Sequence, residues 1–359
     1  MLNLLLYRPG HSGFSRYVER VVPNLKGHRL WLCDEDLSGA SRVDANIPQD
    51  LPASRLQRLL LGLSLSQHGV DVRRRLSRSE WARVEAVYSP FLDYLFCCPR
   101  LPQLITCHDL TPLVYPGSRR AYLRYRLWTP VHLHRATHVI AISCFVADQL
   151  LRLGVPHGKI TVVHNGIECS NSPLLRSASF DWLVLARHDR NKNVAQVIRA
   201  YARFLASRPD WPGLLRVVGR NGRQTVRLRR LVGELGLRNK VELIPFVEQC
   251  RLQQYMRGAF ALISTSLMEG FDYPVLEAQA EGLPTLVSDI PVHRELYGGS
   301  SLFFEAGDEP GSLARAMLDL AVDASLWREL SFAGHRRAMQ LSLEEQVSGI
   351  KALMNQIVD

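Results

Sequence analysis

Residues 269–278 read E-G-F-D-Y-P-V-L-E-A and follow the apolar run A-F-A-L-I at 259–263; how this junction is read decides the fold. The run is short and apolar, which predicts a buried strand of a parallel sheet. Pro274 suits the first position of a helix, so the stretch predicts a strand-to-helix turn with Glu269 before it and Glu277 one turn into the helix. At such a turn, free backbone N–H groups and the positive end of the helix dipole favour an anion such as a diphosphate. Carboxylates on either side of it would accept hydrogen bonds from hydroxyls, and a nucleotide sugar has that shape. The spacing alone is not diagnostic, because Glu234 and Glu242 repeat it with one residue on a predicted helix and the other on a predicted strand.

Outward from this turn, strands are predicted at 182–186, 214–218, 241–245, 285–287 and 302–304, with helical stretches between them. The first half has the same rhythm: strands at 2–7, 84–88, 103–106, 139–142 and 160–163, with a loop around Gly10 and Gly13 and a helix over 15–25. A polar stretch at 168–179 reads as a linker. Strands alternating with helices predict an α/β chain with two Rossmann-like domains, each built on a parallel sheet that binds ligands at its carboxyl edge. The expected division is 1–168, 169–341 and a C-terminal helix over 342–359 that packs back toward the first domain. No G-x-G-x-x-G follows either first strand, which argues against a dehydrogenase. Gly219-Arg220-Asn221-Gly222 follows a strand and fits either a phosphate-approaching loop or a plain turn.

The 359 residues are 47% hydrophobic and 22% charged, as in a soluble globular protein. No apolar run is long enough to span a bilayer, and the start MLNLLLYRPG is too short and lacks the basic flank of a signal peptide, so a cytoplasmic location is expected. Seven cysteines (Cys33, Cys97, Cys98, Cys107, Cys144, Cys169, Cys250) form no CxxC pair and no zinc spacing, so mostly buried, reduced thiols are expected. The net charge of +10 is uneven: residues 1–170 carry 21 Lys and Arg against 13 Asp and Glu, and the remainder 23 against 21. Residues 55–78, with Arg73, Arg74, Arg75 and Arg78, and residues 118–128 (SRRAYLRYRLW) concentrate it among Leu, Tyr and Trp. Such segments suit either an anionic membrane surface, which would make the protein peripheral on the membrane's inner face, or a plain solvated Arg-rich face. No nucleic-acid module accompanies the charge, so no nucleic acid is expected.

Several motifs in order now carry a resemblance. Arg187 to Asn193 (RHDRNKN), Val217-Val218-Gly219, Pro245-Phe246-Val247 and residues 269–278 resemble the GT4 family of retaining glycosyltransferases with the GT-B fold, two Rossmann-like domains facing across a cleft. In the first half, residues 12–17 (SGFSRY) look like the family's glycine-rich loop, 108–112 (HDLTP) like its HDL turn, and 163–167 (VHNGI) like the strand end before the interdomain linker.

The resemblance implies that Arg187 and Lys192 grip the donor diphosphate and stabilise its growing charge, that Glu269 contacts the donor sugar, and that Glu277 holds the ribose. His108 would face the sugar, and Gly13 would let backbone approach the diphosphate. Gly219, Phe246, Val247, Gly270, Phe271, Asp272 and Tyr273 would complete the nucleotide-sugar contacts. It implies no metal and no cofactor beyond the donor, which would be GDP-mannose or a UDP-sugar. The acceptor would be a glycan or lipid-linked glycan in bacterial polysaccharide or glycolipid assembly. Two departures stand out. Ser12 and Ser15 replace glycines, and Asp272 stands where the family has a small residue, a carboxylate best placed there as a helix cap. Two other readings keep the fold: a sugar-nucleotide epimerase or phosphorylase, and a catalytically silent glycan-binding or scaffold protein.

Overall fold

The computed structural model describes residues 1–4, 7, 13–25, 30–31, 41–42, 78–96, 98–169, 179–245 and 247–358. The chain divides into two compact units, Met1–Asn165 with Leu343–Asp359, and Gly166–Ser342.

In the first unit, Leu30–Trp31 (β1) pairs in parallel with Ser41–Arg42 (β2). The main sheet has four parallel strands in the order β3 (Val87–Ser89), β4 (Gln103–Cys107), β5 (His138–Ala141) and β6 (Ile160–Val162). The first expected strand is reduced, among the described residues, to a parallel bridge between Leu2 and Tyr88, held by Tyr88 N–H to Met1 O (2.7 Å) and Asn3 N–H to Tyr88 O (2.8 Å). The first helix starts earlier than expected, at Gly13–Val21, and tightens into a 3-10 turn at Val22–Asn24 where Pro23 intervenes. The C-terminal helix Leu343–Gln356 packs on Gly13–Val21, and Gln346 Nε2 donates to Asn165 Oδ1 at 3.1 Å.

The second unit holds six parallel strands: β7 (Trp182–Leu185), β8 (Leu215–Val218), β9 (Val241–Ile244), β10 (Ala261–Ser264), β11 (Thr285–Ser288) and β12 (Leu302–Phe304). Their order, β9-β8-β7-β10-β11-β12, is the 3-2-1-4-5-6 arrangement of dinucleotide-binding sheets. Residues Val194, Val197, Ile198, Tyr201 and Phe204 recur at helical spacing along Val194–Ser207 and bury that face on the sheet. They meet Trp182, Trp211, Phe260 and Trp327 in an aromatic core with edge-to-face contacts such as Trp182 to Phe260, 5.1 Å between centroids.

Among the described cysteines none is in a disulfide; Cys98 and Cys107 are buried, Cys169 is half-buried, and Cys144 and Cys250 are exposed, while Cys33 and Cys97 lie outside the described residues. Both exposed thiols sit in the first turn of a helix, at Cys144–Arg152 and Gln249–Gly258.

Candidate functional site

The strand order explains why distant residues meet. The topological switch falls between β7 and β10, and the segments leaving these adjacent strands are 187–193 and 265–272. Leu267 N–H donates to Asn191 O at 2.7 Å and Thr265 Oγ1 donates to Lys192 O at 2.8 Å, so the two loops form one backbone unit. Asn193, in the left-handed region at φ 44°, ends the 3-10 turn Arg190–Lys192 and anchors it by donating Nδ2 to Gly307 O at 2.6 Å.

This stitching places Lys192 Nζ 2.6 Å from Glu269 Oε1 and 4.0 Å from Asp272 Oδ1. Burial alone would lower the Lys192 ammonium; Glu269 and Asp272 outweigh it and raise the group above its ordinary value. Lys192 and Glu269 keep only 14% and 15% of their side-chain surface exposed, whereas Arg187 is 65% exposed and lies 3.5 Å from Asp189 through Nε. Glu277 is buried on the helix Tyr273–Ala280, which opens directly after this loop with Pro274 as its second residue rather than its first. Gly270 lies between the Glu269 carboxylate and the helix, while the Phe271 and Tyr273 side chains are buried against each other at 5.5 Å.

Asp272 is not the helix cap that its position suggests. It stands immediately before the helix at φ 74°, ψ 65°, and its side chain makes no capping hydrogen bond. The left-handed backbone turns the carboxylate inward, where Oδ2 accepts from Ser264 Oγ at 2.5 Å and lies 3.1 Å from His293 Nε2. Burial would push this carboxyl up; the Lys192 charge and the His293 and Ser264 contacts outweigh burial and hold it below its usual range. From the helix Pro291–Tyr297, Tyr297 donates to the Phe271 and Asp272 carbonyls at 3.1 and 3.0 Å. His293, Tyr297, Ser264 and Ser288 were missed by sequence reasoning. Their only signal is that serines close β10 and β11 at the carboxyl edge, with a histidine five residues after the second.

The remaining expected residues are set by backbone and packing. A Cβ on Gly219 would stand 1.9 Å from Ala186 O, so this glycine is required by the approach of the β7 and β8 ends with or without a ligand. Val247 is half-buried after β9, and Phe246 lies outside the described residues. In the first unit Gly13 opens its helix, and a Cβ there would meet nothing within 4 Å. His108 follows β4 and is buried, with edge contacts to Tyr17 (4.5 Å) and Phe14 (4.9 Å) and Nε2 2.8 Å from Pro90 O. That carbonyl can only accept, so Nε2 carries the hydrogen and Nδ1 the lone pair. Burial pushes the ring down to about 4, with the Pro90 bond opposing it, which keeps the imidazole neutral.

A doubly wound parallel sheet with a cation and carboxylates gathered at its switch point, joined to a second parallel α/β unit, defines the class: a GT-B glycosyltransferase fold. Comparison with known proteins takes this further. The Glycosyltransferase Family 4 model matches residues 13–171 and the Glycosyl transferases group 1 model matches 170–335, and the chain belongs to these GT4-type, group 1 glycosyltransferases. The O-antigen chain mannosyltransferase RfbU of Salmonella typhimurium is 29% identical over 58% of this chain and 58% of its own length. The match therefore spans little more than half of that relative. The O-antigen chain mannosyltransferase B of Escherichia coli is 27% identical over 93% of each chain. Among solved structures, Anabaena HepE in complex with UDP and glucose superposes with a TM-score of 0.67 over 84% of this chain and 83% of its own, at 17% identity, a likeness of fold.

Proposed function

We propose that the chain transfers a hexose, with retention, from a nucleoside diphosphate sugar to a glycan or lipid-linked glycan acceptor in bacterial polysaccharide assembly. Lys192 and Glu269 at one switch point carry this reading, since they pair a phosphate-binding cation with a hydroxyl-binding carboxylate. GDP-mannose is the leading donor, its sugar supported by two relatives named as O-antigen chain mannosyltransferases and its nucleotide by one named GDP-mannose:cellobiosyl-diphosphopolyprenol alpha-mannosyltransferase; a UDP-sugar is the competing one. Arg187, exposed and on the same turn, joins Lys192 on the diphosphate, and Glu277 takes the ribose hydroxyls. As the glycosidic bond breaks, charge grows on the leaving diphosphate, and fixed cations stabilise it more than the ground state. The acceptor hydroxyl attacks on the face that the diphosphate leaves, and the departing phosphate takes its proton. His108 orients the sugar or acceptor as a neutral ring. These cations supply the charge that a divalent ion would otherwise bring, so turnover is expected to survive EDTA.

The test is a panel of sugar nucleotides with calorimetric binding and product release. GDP-mannose should bind, free diphosphate should appear only with acceptor, and Lys192→Ala and Glu277→Ala should each sharply reduce binding or turnover. Near-normal kinetics in both variants would sink the assignment, and donor interconversion without acceptor would favour an epimerase.

A peripheral membrane location is the second part of this proposal. The helix Arg119–Arg135 exposes Leu123 (47%) and Leu127 (53%) one turn apart, beside exposed Arg119, Arg120 and Arg126. No acidic residue occurs from Leu110 to Ala147, so the face complements an anionic lipid surface. Among the described residues no helix is long and apolar enough to cross a membrane. The other basic segment, 55–78, lies outside the described residues except for Arg78. Binding to phosphatidylglycerol vesicles, lost in an Arg120→Glu/Arg126→Glu variant, is the expected result; equal binding to neutral vesicles would count against it.

A further inference from the structure

The Asp272 carboxylate is buried within reach of the cation assigned to the donor diphosphate, where its charge would oppose phosphate binding. Lys192 contributes one positive charge while Glu269 and Asp272 contribute two negative ones, with Oε1 and Oδ1 at 2.6 and 4.0 Å from the ammonium. Left so, the buried cluster would be net negative beneath a ligand that carries negative charge itself.

The surroundings of His293 resolve this. The ring is fully buried, and its Nδ1 lies 2.8 Å from Ser288 O, which can only accept; Nδ1 therefore carries a hydrogen. Ser288 Oγ, 3.3 Å from the same nitrogen, already donates its own hydrogen to Ser266 O at 2.5 Å and offers only lone pairs. Nε2 faces Asp272 Oδ2 at 3.1 Å. A neutral ring opposite an ionised carboxylate would set two lone pairs against each other at that distance. Ser264 donates to the same oxygen, so its hydrogen does not relieve the clash between carboxylate and ring. One proton must lie between Nε2 and Oδ2.

We infer that His293 is a positioning and charge-balancing residue for the donor site: its shared proton keeps the buried Asp272–His293 pair net neutral, leaving the field of Lys192 and Arg187 available to the diphosphate. The pair also fixes the loop. Asp272 is tied through its side chain to His293 and through its carbonyl to Tyr297, one turn further along the same short helix, which holds a non-glycine residue in the left-handed region beside Glu269. This inference rests on the donor-site reading above. His293 is assigned no contact with substrate, and the role inferred for the Asp272 carboxylate needs none.

The test compares binding of GDP and UDP, and of guanosine and uridine, to the unaltered protein, His293→Gln, Asp272→Asn and the double variant. Glutamine keeps a donor toward Asp272 but cannot carry the proton, so His293→Gln should weaken diphosphate binding on the order of tenfold. Nucleoside binding should change by less than about twofold, because a nucleoside carries no phosphate charge. Adding Asp272→Asn removes the surplus charge and should restore most of the loss. A purely structural role predicts the opposite, losses that accumulate and fall equally on nucleosides. A double variant no better than His293→Gln overturns the inference. Should that variant fail to fold, NMR of the unaltered protein decides: a proton on His293 Nε2 or on the Asp272 carboxyl is expected, and a lone pair on Nε2 facing an ionised Asp272 carboxylate overturns it. Failure of the unaltered protein to bind either diphosphate overturns the donor-site reading itself, while the ring measurement still reports on the pair.

Discussion

Replacing Lys192 with methionine should destabilise the second unit by about 3 kcal/mol, and the loss should be strongly coupled to Glu269. At 2.6 Å, with an effective dielectric of about 20, the Coulomb attraction between Nζ and Oε1 is about 6 kcal/mol before desolvation is counted. Removing one partner of a buried pair costs about 3–5 kcal/mol. The lower end applies because both side chains retain some exposure. Methionine also removes the cation 4.0 Å from Asp272, so Lys192→Met should cost more than Glu269→Gln, which leaves the ammonium facing Asp272 and should cost about 2 kcal/mol. The double variant removes both charges and should cost about as much as Lys192→Met alone, giving a coupling of about 2 kcal/mol. Urea unfolding followed by fluorescence reads this directly, since Trp182, Trp211 and Trp327 are buried in the core of the second unit. With a slope of about 2 kcal/mol per molar, the Lys192→Met midpoint should fall by about 1.5 M. Losses that add to within about 0.5 kcal/mol, or a larger cost for Glu269→Gln, would refute the pairing.

Gly219→Ala should lower thermal stability by more than about 2 kcal/mol even without ligand, because its Cβ would sit 1.9 Å from Ala186 O; an unchanged melting temperature would refute the backbone argument. His108 supplies a pH-dependent term. Its folded value of about 4 lies below the ordinary 6.5, so the unfolded chain takes up the proton first as pH falls. The stability present above 6.5 should therefore be lost progressively as pH drops toward about 4, a change of about 3 kcal/mol in all. His108→Phe should lack that component. Equal pH slopes between 6.5 and 4 in both proteins would show that the ring is not buried neutral.

Much of this was legible along the chain because it depends on local patterns. The apolar runs at 182–186, 214–218, 241–245, 259–263, 285–287 and 302–304 became β7 to β12 with edges shifted by at most two residues. Such runs need only hydrophobicity and turn residues to declare themselves. Of the expected first strand at 2–7, residues 5 and 6 lie outside the described residues, and among the described ones Leu2 alone bridges Tyr88. Asp272 was misread for a physical reason: an aspartate before a helix caps it only when its own backbone is extended, and here φ is 74°.

What the sequence by itself determined is the set of elements and the residue types at the strand ends: two α/β series, a turn carrying Glu269, Asp272 and Glu277, and another carrying Arg187 and Lys192. Their partnership was decided only in three dimensions. Lys192 and Glu269 are 77 positions apart and touch because β7 and β10 are neighbours at the reversal of strand order. Asp272 meets His293 because a left-handed backbone points its side chain under the loop, toward a helix that begins after the next strand. Hydrophobic periodicity acts over a few residues and can be read in one dimension. Charge pairing acts through space, and its partners are chosen by strand order and by a single backbone angle.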